Sequence, residues 1–157
     1  MDSLLHCPHT LYCKDETALR CGPVVNATAD ESIRYYKQRV KTMGARINYN
    51  IKQPDGLYTV LYSHWGADKC VAHISKALKA ARGRWTDTDY CTRIIISQIV
   101  GDEWFTTTGY GVQAATEPHL DDAWLIIDLE KQTVEGKYSG KYPFAVITEF
   151  ADMQLAR

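Results

Sequence analysis

Two segments in which every second residue is apolar meet across Gln53-Pro54-Asp55-Gly56, and nothing else in the chain constrains its fold as much. In Ala45–Lys52, Ile47, Tyr49 and Ile51 fall on one face, because successive side chains of a strand point to opposite sides. Asp-Gly carries the chemistry of a tight hairpin turn, and Tyr58–His64 returns as a second strand. Gly66 breaks that strand, and Asp68 opens a helix running to about Arg82. Within it Cys70, Val71, Ile74, Ala77, Leu78 and Ala81 share one stripe, and Gly83 stops it. A hairpin with one apolar face, followed at once by a helix with an apolar stripe, predicts a sheet covered by helices.

Thr88–Val100 supports two conformations. Ile94, Ile95, Ile96, Ile99 and Val100 suit a buried strand on propensity. The length of the segment, the caps available at Thr86 and Asp87, and Gly101 at its end favour a buried helix, which is the expectation taken here. Phe105–Ala115 then reads as a strand interrupted by Gly109 and Gly111. Ala123–Leu129 and Thr133–Tyr138 form a hairpin around Glu130-Lys131-Gln132, and Pro143 starts a final helix with Phe144, Ile147 and Phe150 facing inward. The expected architecture is α+β, an antiparallel sheet of about five strands packed against two or three helices. Residues 43–157 make up that single domain. Residues 1–42 form an N-terminal extension: a Cys-rich tail, then a helix over Ala29–Met43 capped by Thr28, which packs on the domain or on another copy in a homodimer.

A chain of 157 residues suits one domain. Its net charge of −1 gives no general attraction to nucleic acid or to an anionic membrane, and neither is expected as a partner. No apolar run approaches the roughly 20 residues that span a bilayer. The start, Met1-Asp2-Ser3-Leu4-Leu5-His6-Cys7, lacks the basic and apolar regions of a signal peptide, so a cytoplasmic location is expected. Five cysteines, an odd number, argue against a disulfide framework in such a chain.

Three aromatic clusters lie where the hydrophobic pattern breaks, which is where a scaffold displays working side chains. They are Tyr62-Ser63-His64-Trp65-Gly66, Arg84-Trp85 with Tyr90 and Arg93 behind it, and Thr107-Thr108-Gly109-Tyr110-Gly111. Strand alternation puts Tyr62 and His64 on one face, with Trp65 on the other as core. His64 is the candidate acid/base should the chain be an enzyme. Arg93, in so apolar a segment, needs a partner: a ligand carboxylate or phosphate held by the guanidinium fork, or an acid of the same chain such as Asp87, Asp89 or Asp128. Tyr62, His64, Arg84, Tyr90, Arg93 and Tyr110 are the candidate ligand-binding residues.

The cysteines offer other chemistry. Cys7, His9, Cys13 and Cys21 make a Cys-x-His-x3-Cys-x7-Cys pattern whose donors can hold zinc, although its spacing is irregular and free thiols are the plainer interpretation. Cys70 belongs to the core. Cys91 could serve as a nucleophile with His64 or His73, and His119-Leu120-Asp121-Asp122 could recruit a metal or bond to itself as a loop. No cofactor is otherwise expected.

From Met43 onward the chain resembles a group of small, uncharacterised proteins from bacteria and their phages. The matching features are Met43-Gly44-Ala45-Arg46-Ile47-Asn48, Leu61-Tyr62-Ser63-His64-Trp65-Gly66, Arg84-Trp85 through Tyr90 and Arg93, Thr108-Gly109-Tyr110-Gly111, and Ile126-Ile127-Asp128-Leu129. The resemblance covers residues 43–157 and implies that Met43 matches the usual start, with residues 1–42 an added piece. It carries no reaction, ligand or fold with it. The expected function is that of a non-catalytic accessory protein of a mobile element or phage, binding a small anionic or aromatic ligand or a protein partner. The alternative is an enzyme acting on a nucleotide-like or phosphorylated substrate, with His64 as acid/base and Arg93 as anion clamp.

Overall fold

The structure, a computed structural model, describes residues 46–137 and 140–155. The expected helix at Ala29–Met43 and the Cys7–Cys21 cluster lie outside these residues. Six strands run β1 Ile47–Lys52, β2 Tyr58–Ser63, β3 Tyr110–Ala115, β4 Ala123–Asp128, β5 Thr133–Gly136 and β6 Gly140–Pro143. The helices are α1 Cys70–Ala80, α2 Thr88–Val100 and α3 Phe144–Leu155. The sheet order is β3-β2-β1-β4-β5-β6.

The α+β class and the helical cover are as expected, but the sheet is mixed and has six strands, not an antiparallel five. Strands β1 and β4 are parallel, with Tyr49 opposite Leu125, while every other neighbouring pair is antiparallel. Two local features explain the difference. The link from β3 to β4 is no hairpin: Thr116–Asp122 passes β2 and β1 before the chain re-enters the sheet. The other is a second turn after β5, so that the expected strand Thr133–Tyr138 stops at Gly136 and the chain returns as β6.

One face of the sheet is apolar and lies under the helices. Ile47, Tyr49 and Ile51 of β1, Leu61 of β2, and Ala123, Leu125 and Ile127 of β4 are buried there with Ile74, Ala77 and Leu78 of α1. Helix α1 buries residues at the 70, 74, 77 and 78 positions, the spacing of one helical face. Ser75, also buried, donates to the Ile147 carbonyl of α3 at 2.6 Å, joining the two helices.

Helix α2 settles the ambiguous segment. The Asp87 side chain accepts from the Tyr90 amide at its N-terminus, and Gly101, at φ +58, ends it. Cys91, Ile95, Ile96, Ile99 and Val100 face the core. The Gly101–Phe105 segment that follows is a 3₁₀ turn, so β3 starts at Tyr110, five residues later than the sequence pattern predicts.

The opposite face of β1 buries amides. Asn50, fully buried, accepts from the His119 amide at 2.7 Å and donates to the His119 carbonyl at 3.0 Å and the Leu125 carbonyl at 3.2 Å. Asn48 donates to the Asp121 carbonyl at 3.2 Å. These bonds clip the Thr116–Asp122 crossover onto the sheet and cover Val60, which is fully buried. Leaving such a buried amide unpaired costs about 1–3 kcal/mol, so the pairing is what makes a polar residue tolerable there.

Candidate binding surface

The six candidate residues do not form one pocket. Five of them separate to the two ends of α2, and Arg93 lies between, on its solvent side. Arg84 and Tyr90 lie at its N-terminal end, where the Arg84 guanidinium sits 5.0 Å from the Tyr90 ring centroid and 3.4 Å from Asp87. Tyr110 lies at the other end, its hydroxyl donating to the Ile99 carbonyl at 3.3 Å. Nine residues of helix, about 13 Å, separate Tyr90 from Ile99. Arg93 is solvent-facing, not buried, and has no ion-pair partner among the described residues. The premise that it needs a counter-charge is therefore overturned, because water solvates the guanidinium.

At the N-terminal end Arg84 and Tyr90 are exposed but paired with each other, and Trp85 is tied into the scaffold. Trp85 packs edge-on against Phe144 with ring centroids 5.4 Å apart, and its indole N–H donates to the Leu78 carbonyl at 2.9 Å. The Arg82 guanidinium lies over the Trp85 ring and donates to the buried Thr148 hydroxyl at 3.2 Å. Here two guanidiniums and two rings satisfy one another.

The C-terminal end is open. His64 is exposed, its Nδ1 3.1 Å from the Tyr62 hydroxyl, as strand alternation predicts. Its ring also stands edge-on to Trp65, centroids 5.5 Å apart. Trp65, read from sequence as core, is 43% exposed. The reason lies in the loop: the Ser63 hydroxyl bonds the Trp65 carbonyl, and the His64 amide donates to the Gly109 carbonyl at 2.8 Å, turning the chain outward after β2.

Gly109 is the seat of this arrangement. Its φ of +104 suits glycine, and a Cβ there would lie 2.9 Å from Trp65 Cζ2 and 3.2 Å from Glu103 Oε2. The indole and the Glu103 carboxylate therefore press on the same bare stretch of backbone. Trp104, next to Glu103, is 50% exposed, and Phe105 is 98% exposed. Burial, and after it the Glu103 charge, push the Tyr110 phenol up from its ordinary value. Glu103 and Trp104 are not among the sequence candidates, and Phe105 is expected only as the first residue of a strand. A Trp-Phe pair following a helix stop, with no apolar periodicity to bury it, was the available signal.

The remaining chemical candidates settle into the scaffold. Cys70 and Cys91 are buried, and burial followed by the Asp87 charge pushes the Cys91 thiol up to about 11, which disfavours a nucleophilic thiolate. The His73 ring lies 3.4 Å from the buried Tyr49 hydroxyl, and burial lowers its pKa. His119 is held by Asn50, with Gln113 Nε2 3.0 Å from its ring, and among the described residues no group of three His, Cys, Asp or Glu side chains gathers as a metal site. No described helix is long and apolar enough to cross a membrane. The chain matches no protein-family model, no curated protein and no solved structure.

Proposed function

We propose that this chain is a non-catalytic binding protein that engages a protein partner through the aromatic, acidic surface at the C-terminal end of α2. The observation that carries it is the exposed Trp65 indole set beside the Glu103 carboxylate over Gly109. Residues 101–110 contain two acids, Asp102 and Glu103, and no base. An indole face and a carboxylate together suit a basic side chain of the partner, since cation–π attraction contributes about 0.5–2 kcal/mol and the carboxylate adds to it. In the setting that the resemblance implies, such a protein acts as a cytoplasmic accessory factor of a bacterial mobile element or phage.

A small anionic ligand finds less support. The guanidinium suited to it, Arg84, already faces Asp87 and Tyr90. The enzyme alternative draws on the solvent-facing Tyr62–His64 pair. Its anion clamp, however, sits on the solvent side of α2, roughly 9 Å along the helix from the turn where Tyr110 docks.

Titration with an arginine-rich peptide and an acidic peptide of the same length tests the proposal by tryptophan fluorescence. Saturable binding of the basic peptide, weakened about tenfold by Trp65→Ala and unaffected by Arg84→Ala, is expected. Binding of the acidic peptide alone, lost in Arg84→Ala, would move the function to the other end of α2.

A further inference from the structure

Strand β3 is an edge with an unusual lack of protection. Its sequence, Tyr110-Gly111-Val112-Gln113-Ala114-Ala115, has no charge and no proline. Natural edge strands carry lysine, proline or bulges to prevent pairing with another chain. The opposite edge does so: β6 has Lys141, paired with Glu135 at 3.4 Å, and ends in Pro143.

The hydrogen-bond phase of β3 can be assigned. The His64 amide bonds the Gly109 carbonyl, so residues 64 and 109 are a hydrogen-bonded pair of the antiparallel ladder. With Tyr62 opposite Gly111 and Val60 opposite Gln113, the alternation makes those pairs hydrogen-bonded too. Tyr110, Val112 and Ala114 consequently turn their N–H and C=O groups away from β2. Among the described residues, nothing pairs with that side.

We infer that the β3 edge pairs with β3 of a second copy across a two-fold axis at Val112, joining two sheets into one. Three features of the strand select a second copy as the occupant. An antiparallel register centred on Val112 sets Tyr110 opposite the partner's Ala114 and Val112 opposite the partner's Val112. Every outward N–H and C=O of β3 then gains a partner, and like faces of the two sheets stay aligned. Val112, 53% exposed, meets its equivalent on the helix-covered side. On the other side Gly111, where an added Cβ would meet nothing, leaves room for the partner's Gln113.

Shape complementarity lies along the same edge. A hollow of about 800 Å³ at the C-terminal end of β3 is lined by Leu57, Ala115, Pro118 and Leu120, among others. The exposed Phe105 precedes the N-terminal end. In an antiparallel pair the N-terminal end of one strand lies beside the C-terminal end of the other, so the Phe105 end of each copy comes alongside the hollow end of its mate. That adds apolar area which strand pairing alone lacks, since stable interfaces exceed about 1,000 Å². The inference rests on the strand edge, not on Trp65 and Glu103, and stands independently of the proposed partner site.

Sedimentation of the full chain tests it. A concentration-dependent dimer of twice 17.8 kDa is expected, weakened about 100-fold by Val112→Lys, which sets two lysines face to face, and substantially by Phe105→Asp. Should Val112→Lys fail to fold, amide exchange on the unmodified chain decides. The Tyr110, Val112 and Ala114 amides must then become protected as concentration rises. A monomer at every concentration, a dimer indifferent to both substitutions, or outward amides whose exchange ignores concentration would overturn the inference.

Discussion

Trp85 and Trp65 follow and precede the same helix, α1, in short loops flanked by glycine, yet their fates are opposite. Trp85 has its N–H bonded to Leu78, its ring packed edge-on with Phe144 and a guanidinium above it. Trp65 lies against the bare backbone of Gly109 and edge-on to the His64 ring, and stands partly open to solvent beside Glu103. An aromatic residue in a loop is thus not a functional signal by itself. Whether its polar and apolar parts are already satisfied within the chain separates a structural tryptophan from one available to a partner.

The largest expected consequence is in stability. Trp85→Ala should cost about 3–5 kcal/mol in denaturant unfolding, as loss of a packed tryptophan usually does. Trp65→Ala should cost less than about 1 kcal/mol, in line with an exposed position. Equal losses at the two sites would erase the distinction between them.

The glycines give the next effect. Gly109→Ala should destabilise by about 1–3 kcal/mol, combining strain at positive φ with a Cβ too close to Trp65. At the other end of α1, a Cβ on Gly83 meets nothing within 4 Å, and Gly83→Ala should be neutral or stabilising by about 0.4–1 kcal/mol. Thermal melts of the two variants should therefore shift in opposite directions or differ clearly in size.

Smaller effects follow at the Arg84 cluster. Asp87→Ala removes the cap of α2 and should cost about 1 kcal/mol. Arg84→Ala removes an exposed ion pair and should cost at most about 1 kcal/mol, less in high salt. Salt titration of the two unfolding curves checks the order.

Acid should weaken the open end selectively. The His73 ring lies under Gly66, whose Cβ position is 3.3 Å from His73 Cε1, and the Arg84 cluster contains no histidine. Burial, then the Lys69 charge, lowers the His73 pKa in the folded state. The unfolded chain therefore binds the proton more readily, and this contribution is fully present above about pH 6.5 and lost as pH falls from there through the lowered folded-state pKa. His73→Gln should flatten the stability profile in that window.

Much of the scaffold is readable from local pattern. The β1–β2 hairpin and the apolar stripe of α1 sit where periodicity puts them, and the caps at Asp87 and Gly101 decide α2 against strand propensity. The parallel β1–β4 pair is not readable, because it depends on where Thr116–Asp122 travels. The bonds that hold that path run from Asn48 and Asn50 to residues about 70 positions away. The site was half visible. His64 and Tyr62 follow from strand alternation, but the exposure of Trp65 depends on a contact with Gly109 across the sheet. The exposure of Arg93 is not readable, because three consecutive isoleucines suggest burial, while the helical turn sends the preceding residue to solvent.

The chain contains four tryptophans, at 65, 85, 104 and 124, and their indole N–H resonances report each region separately. Adding an arginine-rich peptide should shift the Trp65 and Trp104 signals saturably and leave Trp85 in place. Movement of Trp85 instead, or no saturable shift of Trp65, would contradict the assignment of recognition to the open end of α2.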